Sequence, residues 1–266
     1  MEWFYTHWPY AVSGLGVGFV VGVTGMGGGA LMTPLLVLVF GVAPSIAVGT
    51  DLLYASFTKM AGSVAHGRHG RVDWHIVRLL ATGSLPAAIL CMLTLHRLAL
   101  DEKHLNALVA GVMGVALLLT AVALVFKPYV MKIFRHKDGT YYELPTQSLK
   151  AATIVTGIVL GLLVTISSIG AGVLGMVVLW FLYPRITPAK LVGTDIAHAV
   201  PLTLVAGLGH AALGTVNYAL LGSLLLGSVP GIFLGSYFSA KIPERILRNI
   251  LAIMLLILGS RLMLLG

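Results

Sequence analysis

Six stretches of this sequence are long and apolar enough to cross a membrane as helices, and this feature restricts the fold more than any other. The stretches cover about 46–66, 74–95, 104–126, 190–211, 217–239 and 246–265. About 20 apolar residues in a helix span the 30 Å or so of a bilayer's hydrocarbon core. Only 10% of all residues are charged, whereas soluble domains carry about 25%. The sequence therefore predicts an all-α integral membrane protein embedded in a lipid bilayer.

The charge pattern and the motifs exclude several other classes. The net charge is +8, but the Lys and Arg residues lie at the ends of apolar segments, which is typical of topology signals rather than of a nucleic-acid surface. The glycine run at 25–29 lacks the Gly-Lys-Ser/Thr of a phosphate loop, and neither a hydrolase elbow nor a zinc-protease motif occurs. We therefore expect no nucleic-acid partner, no cofactor, no metal site and no enzymatic activity.

Two further apolar stretches, 10–40 and 150–183, are each broken near the middle. The breaks are Gly25-Met26-Gly27-Gly28-Gly29 and Ser167-Ser168-Ile169-Gly170-Ala171-Gly172. Each half has about 13–17 residues, which is marginal or short for a crossing. A broken helix exposes backbone N–H and C=O groups, and a membrane tolerates them where they line a cavity or bind a ligand. N–H groups at the start of a half-helix can hold an anion there.

The chain is an internal duplication. A shift of 144 residues, without a gap, aligns Val48-Gly49-Thr50-Asp51 with Val192-Gly193-Thr194-Asp195. The same register aligns Pro44 with Pro188, His66 with His210, Gly83-Ser84 with Gly227-Ser228, and Pro86 with Pro230. The repeats are predicted at 1–126 and 150–266, with a basic cytoplasmic linker at 127–149. Each would contain one Gly-broken helix pair, re-entrant or short, and three transmembrane helices.

The basic residues predict how the repeats are oriented. If each broken pair enters and leaves on one side, the loops at 67–78, 127–150, 184–190 and 241–248 share a face that holds 13 of the 17 Lys and Arg. If each pair crosses once instead, the split is 9 against 7. The positive-inside rule favours the first arrangement. The repeats would then be inverted, as in many secondary transporters, and both termini would lie outside the cytoplasm.

Three charged residues lie deep within predicted membrane helices: Asp51, Asp195 and Lys59. Charges there are costly and indicate function by default. The two carboxylates could instead cap helix N-termini, and the lysine could snorkel or form a structural ion pair. Asp51 and Lys59 are about 12 Å apart along one helix, too far to pair directly. His198 also lies inside its segment and titrates near neutral pH, so it is a candidate proton relay.

These motifs together resemble the sulfite exporter TauE/SafE family, also called the 4-toluene sulfonate uptake permease family. The resemblance covers nearly the whole chain in two copies. In the first copy the resemblance rests on Gly25 through Pro34, Ala47-Val48-Gly49-Thr50, and the loop from His66 through Trp74. Leu191-Val192-Gly193-Thr194 and Gly214-Thr215-Val216-Asn217-Tyr218 correspond in the second copy.

The resemblance implies an inner-membrane permease for sulfur-containing anions such as sulfite, sulfonates or sulfoacetate, usually described as an exporter. The residue after Gly-Thr is commonly small and polar in that family, whereas both copies here have aspartate. This departure leaves two interpretations: coupling to protons or Na⁺ through the carboxylates, or a substrate less anionic than sulfite.

The resulting hypothesis is a proton-coupled exporter whose small anion binds at the midplane between the two breaks. The predicted substrate-binding residues are Thr24, Gly25, Gly27, Gly28, Gly29, Thr50, Lys59, Ser167, Ser168, Gly170, Gly172 and Thr194. The predicted proton-coupling residues are Asp51, Asp195 and His198. One alternative is a transporter of cations, metal ions or other organic anions that uses Asp51, Asp195 and His198. A less favoured alternative is a membrane anchor subunit or an intramembrane enzyme.

Overall fold

The computed structural model describes residues 2–24, 29–68, 70–133, 145–238 and 244–265, which contain ten α-helices and no strand. The helices are α1 (Glu2–Thr24), α2 (Gly29–Leu38), α3 (Pro44–Arg68), α4 (Trp74–Leu98), α5 (Glu102–Ile133), α6 (Thr146–Ser167), α7 (Val173–Leu182), α8 (Pro188–Ala212), α9 (Tyr218–Phe238) and α10 (Glu244–Leu265). The all-α prediction is therefore confirmed for these ranges.

Among the described residues, five helices have the length and apolar composition to cross a membrane: α4, α5, α6, α8 and α9. Such a set is typical of a multi-pass membrane protein. The six predicted segments correspond to α3, α4, α5, α8, α9 and α10, of which α4, α5, α8 and α9 are among these five. The structure corrects the predicted half-lengths of 13–17 residues in the two broken stretches. α1 and α6 have 23 and 22 residues, because each begins before its apolar run, and α2 and α7 have 10 residues each.

The duplication is visible in where the helices begin. α6, α7, α8 and α9 each start 144 residues after α1, α2, α3 and α4, respectively. α5 continues to Ile133, beyond the predicted end of the first repeat at 126, so the beginning of the linker at 127–149 is helical.

Helices of the first half of the chain (α1–α5) pack mainly against helices of the second half (α6–α10). α1 packs against α9, α4 against α6, α3 against α8, and α5 against α10. Glycines permit close approach: Gly231 and Gly235 lie against the backbone of Leu15 and Phe19, and Gly157 lies against that of Leu80. Small residues at helix interfaces are typical of membrane proteins, where close packing stabilises association. The two halves therefore interlock rather than form separate domains.

α3 and α8 pack against each other and run antiparallel. Gly49 lies against His210 and Gly62 against Ile196, so positions advance along one helix as they recede along the other. Between these contacts the Ser56 hydroxyl donates to the Val200 carbonyl at 3.5 Å. Ser56 and Val200 are equivalent positions of the two repeats, so equivalent points of α3 and α8 meet at the crossing.

Two equivalent hydrogen bonds join the starts of helices from different halves. The Asp73 N–H donates to the Thr194 hydroxyl at 2.9 Å, and the Asn217 N–H donates to the Thr50 hydroxyl at 3.0 Å. Asp73 also caps α4, and its Oδ2 pairs with Lys190 Nζ at 3.1 Å. Burial opposes ionisation of Asp73, but hydrogen bonds from Lys190 and from backbone N–H groups outweigh it, so the pKa lies below its usual value.

We expect Gly231→Ala to lower the thermal unfolding midpoint in detergent. A Cβ at 231 would overlap the Leu15 carbonyl oxygen, and forced overpacking costs about 1–3 kcal/mol. Gly222 lies in the same helix with nothing near its Cβ position, so Gly222→Ala is the matched control and should not lower the midpoint, since alanine favours a helix more than glycine does. Equal midpoints for the two variants would contradict the close α1–α9 contact.

We expect Asp73→Asn to reduce stability at neutral pH by up to about 1 kcal/mol, since both partners of the ion pair are partly exposed. A carboxylate whose folded pKa is lowered stabilises the fold above its unfolded pKa of about 3.9, and that contribution disappears as the pH falls through the folded pKa. Melting curves of wild type and variant should therefore differ at pH 7 and converge as the pH falls through the folded pKa of Asp73. A constant difference at both pH values would show that the charge is not responsible.

Candidate functional site

The candidate site surrounds the connection between α6 and α7. The chain turns sharply there, with Ser168 in the left-handed region at φ 58° and Gly170 and Gly172 at φ 130° and 132°. The last two angles strain any residue with a Cβ. The Gly175 N–H donates to the Gly170 carbonyl at 3.0 Å. Glycine is therefore required at 170 and 172 by the backbone conformation.

Asp51 on α3 holds this connection from one side. Its carboxylate is fully buried, and Oδ2 accepts hydrogen bonds from Thr33 Oγ1 at 2.6 Å and Ser168 Oγ at 2.7 Å. Its Oδ1 has no hydrogen-bond partner within the described part of the chain. Hydrogen bonds to a carboxylate are short and strong, so Asp51 ties α2 and α3 to the break in the opposite half.

Lys59 meets the same connection two turns further along α3. It is 6% exposed, and Nζ donates to the Ala171 carbonyl at 2.8 Å. Lys59 also interacts electrostatically with Asp195 and, less strongly, with Asp51. The α6–α7 connection thus spans the predicted 12 Å between Asp51 and Lys59, because Ser168 is hydrogen-bonded to Asp51 and Ala171 to Lys59. The ammonium is bonded in the interior, so the snorkelling interpretation does not apply.

Asp195 on α8 is the equivalent of Asp51 but has different surroundings. Its side chain is 2% exposed, and Oδ1 finds no hydrogen-bond partner among the described residues. This oxygen lies against Gly175 of α7, where a Cβ would overlap it. The cation that acts on Asp195 is Lys59. Asp195 is therefore a buried carboxylate held mainly by packing and by one charge.

His198 lies one turn beyond Asp195. Its Nε2 is 2.8 Å from Ser84 Oγ on α4, and its buried Nδ1 has no partner among the described residues. The equivalent pair in the other half is Tyr54 and Ser228; the Tyr54 hydroxyl lies near Ser228 without a hydrogen bond. The same two positions therefore carry different chemistry in the two repeats.

Three other predicted site hydroxyls are engaged within the protein. Thr50 and Thr194 accept the N–H groups that begin α9 and α4. Ser167 Oγ donates to the Leu163 carbonyl at 2.6 Å and accepts the Ile169 N–H at 3.2 Å, so it stabilises the break itself. Their roles in substrate binding stay predictions.

The first predicted break lies mostly outside the residues that the structure describes. Gly25, Gly27 and Gly28 lie outside the described residues, and Thr24 and Gly29 are described only as the end of α1 and the start of α2. Their predicted role in substrate binding also stays a prediction.

Sequence reasoning did not find Thr33, Ser84 and Gly175, each of which contacts a predicted coupling residue. Ser84 carried a usable signal, because Gly83-Ser84 recurs as Gly227-Ser228. Thr33 and Gly175 carried none, since their equivalents are Val177 and Leu31. Contacts of this kind depend on the fold.

The arrangement is suited to binding an ion. One ammonium, two carboxylates and the backbone of a helix break meet in an apolar interior. The described residues contain no cluster of three or more His, Cys, Asp or Glu side chains with metal-binding geometry.

Comparison with known proteins gives the family. The model of the sulfite exporter TauE/SafE family matches residues 10–262. The probable membrane transporter protein YjnA of Bacillus subtilis is 39% identical over 249 residues, covering 94% of this chain and 96% of that protein. The probable membrane transporter protein YdhB of the same organism is 26% identical, covering 88% and 90%. No solved structure matches. The resemblance noted from the motifs is thus confirmed, and the chain belongs to the sulfite exporter TauE/SafE family.

Proposed function

We propose that this protein is a secondary transporter that exports a small sulfur-containing anion, of the sulfite, sulfonate or sulfoacetate type, across the inner membrane with proton coupling. The observation that carries this proposal is the buried Lys59 ammonium at the α6–α7 connection. A cation in a low-dielectric interior attracts an anion far more strongly than one in water. The α7 N-terminus lies at the same connection and adds the positive end of its dipole.

The proposed architecture is a pair of inverted repeats. It is supported by the antiparallel crossing of α3 and α8 at equivalent positions. It is also supported by the reciprocal pairing of α1 with α9 and α4 with α6, which maps onto itself when the halves are exchanged. The Asp73–Lys190 ion pair brings the loops before α4 and α8 together, in keeping with one basic, cytoplasmic face and both termini opposite. Such repeats can rock about a central site to expose it alternately.

Transport is favoured over catalysis or anchoring because the named relatives are probable membrane transporters along nearly their whole length. Buried carboxylate oxygens without partners favour a second candidate, a cation transporter using Asp51, Asp195 and His198. The two functions differ in what moves: the second predicts a current that sulfur anions do not affect.

The direct test is uptake of radiolabelled sulfite and small sulfonates into proteoliposomes, with and without an imposed pH gradient. We expect saturable uptake that changes with the gradient, and no uptake into protein-free liposomes. Failure of every sulfur anion, together with flux of a cation or a carboxylate, would leave the architecture standing and reject the proposed substrate.

We expect Lys59→Ala to reduce sulfur-anion uptake by at least about tenfold, because a lost buried charge interaction costs 2 kcal/mol or more and 1.4 kcal/mol is tenfold. Lys150→Ala is the control, since Lys150 lies exposed at the start of α6. Lys59→Arg keeps the charge and should retain part of the uptake. Undiminished uptake by a folded Lys59→Ala protein would remove this residue from the substrate site.

A further inference from the structure

The buried charges at the site are unequal in number. Among the described residues Lys59 is the one buried Lys or Arg, whereas Asp51 and Asp195 are both buried. With all three ionised, the carboxylates already outnumber the ammonium. A bound substrate anion would add a second excess negative charge in a low dielectric, where like charges repel strongly. Anion binding at Lys59 therefore favours proton uptake by one of the two carboxylates.

Asp51 is poorly suited to take that proton. Its Oδ2 accepts two short hydroxyl hydrogen bonds, from Thr33 and Ser168, and these favour the ionised form. Protonation would weaken bonds that tie α2 and α3 to the α6–α7 connection. Asp51 is thus part of the scaffold that holds the break in place.

Asp195 has the opposite character. Oδ1 of both carboxylates lacks a hydrogen-bond partner among the described residues, but of the two it is Asp51 that accepts hydroxyl hydrogen bonds at Oδ2. The charge that acts on Asp195 is Lys59. α3, α4, α6 and α7 pack against α8. The charged group on these helices that acts on Asp195 is Lys59 of α3, whereas Asp51 of α3 is bonded to Thr33 and Ser168. His198 is bonded to Ser84 of α4, and Asp73 of α4 is paired with Lys190. An anion that binds Lys59 therefore competes with Asp195 for this buried ammonium.

We propose that Asp195 is the proton carrier of the transport cycle and that Asp51 is not. This inference rests on the proposed function. On loading, the substrate anion binds beside Lys59, its negative charge raises the proton affinity of the Asp195 carboxylate, and Asp195 binds one proton from solution. On unloading, the anion leaves and Asp195 releases the proton. Anion and proton then cross together, the net direction follows the sum of their gradients, and the charge of the site changes little.

The test is calorimetric titration of the full-length protein in detergent with methanesulfonate and sulfoacetate, repeated in buffers of different ionisation enthalpy. The dependence of the heat on the buffer gives the number of protons taken up per anion. We expect about one proton for the wild type, with affinity rising as the pH falls. Binding without proton uptake would overturn the inference and leave an anion carrier. Absence of binding by either anion would reject the sulfonate function and the inference with it.

Variants assign the proton to a residue. Asparagine imitates the protonated carboxyl group, so Asp195→Asn should bind the anion at least as tightly, with proton uptake near zero and no pH dependence. Asp51→Asn is the matched control: it should melt at a lower temperature but keep an uptake of about one. Three results would each overturn the proposal: uptake of about one proton per anion by Asp195→Asn, loss of anion binding by folded Asp195→Asn, or loss of proton uptake by Asp51→Asn.

Gly175→Ala provides a second variant in case Asp195→Asn does not fold. A Cβ at 175 would displace Asp195 Oδ1 without removing the carboxyl group. Because displacement changes the Asp195–Lys59 interaction, we expect the proton uptake per anion to change as well. An unchanged uptake and affinity in this variant would count against Asp195 as the carrier.

Discussion

The site depends on a buried ammonium that the surrounding structure must stabilise. Desolvation of an isolated charge costs several kcal/mol, and the hydrogen bond from Lys59 Nζ to the Ala171 carbonyl offsets part of this cost. The carbonyl is available because the helix is interrupted between α6 and α7. The break and the charge therefore require each other: the exposed backbone needs polar partners, and the ammonium needs acceptors that an intact helix would not offer.

The position of the break is fixed by glycine-mediated packing elsewhere. Gly157 and Gly161 bring α6 against the backbone of α4, at Leu80 and Ser84. Ser84 in turn reaches His198 on α8. The close α4–α6 contact thus sets the position of the α6–α7 connection relative to His198 on α8. Substitutions far from Lys59 can change its surroundings through this contact.

Much of the fold could be predicted because the lengths of the apolar segments and the internal repeat can be read directly from the sequence. The predicted segments coincide with helices, and the 144-residue shift recurs in the starts of four helix pairs. The length of α6 could not be predicted from hydropathy, because its first turn is polar. Asp51 and Lys59 stand out in an apolar chain, but their link through Ser168 and Ala171 joins residues more than 110 positions apart. Contacts at that separation depend on tertiary packing, which no local pattern encodes.

The difference between Lys59 and its equivalent, Thr203, has a consequence for the energetics of the cycle. If the repeats exchange conformations between the two access states, the lysine is carried by the same helix in both, and its relation to the two aspartates cannot be identical. Under the proposed mechanism, the inward-open and outward-open states would therefore differ in free energy even without substrate. Two identical copies would give no such resting preference, so divergence at this single pair of positions would be enough to give the empty protein a favoured orientation.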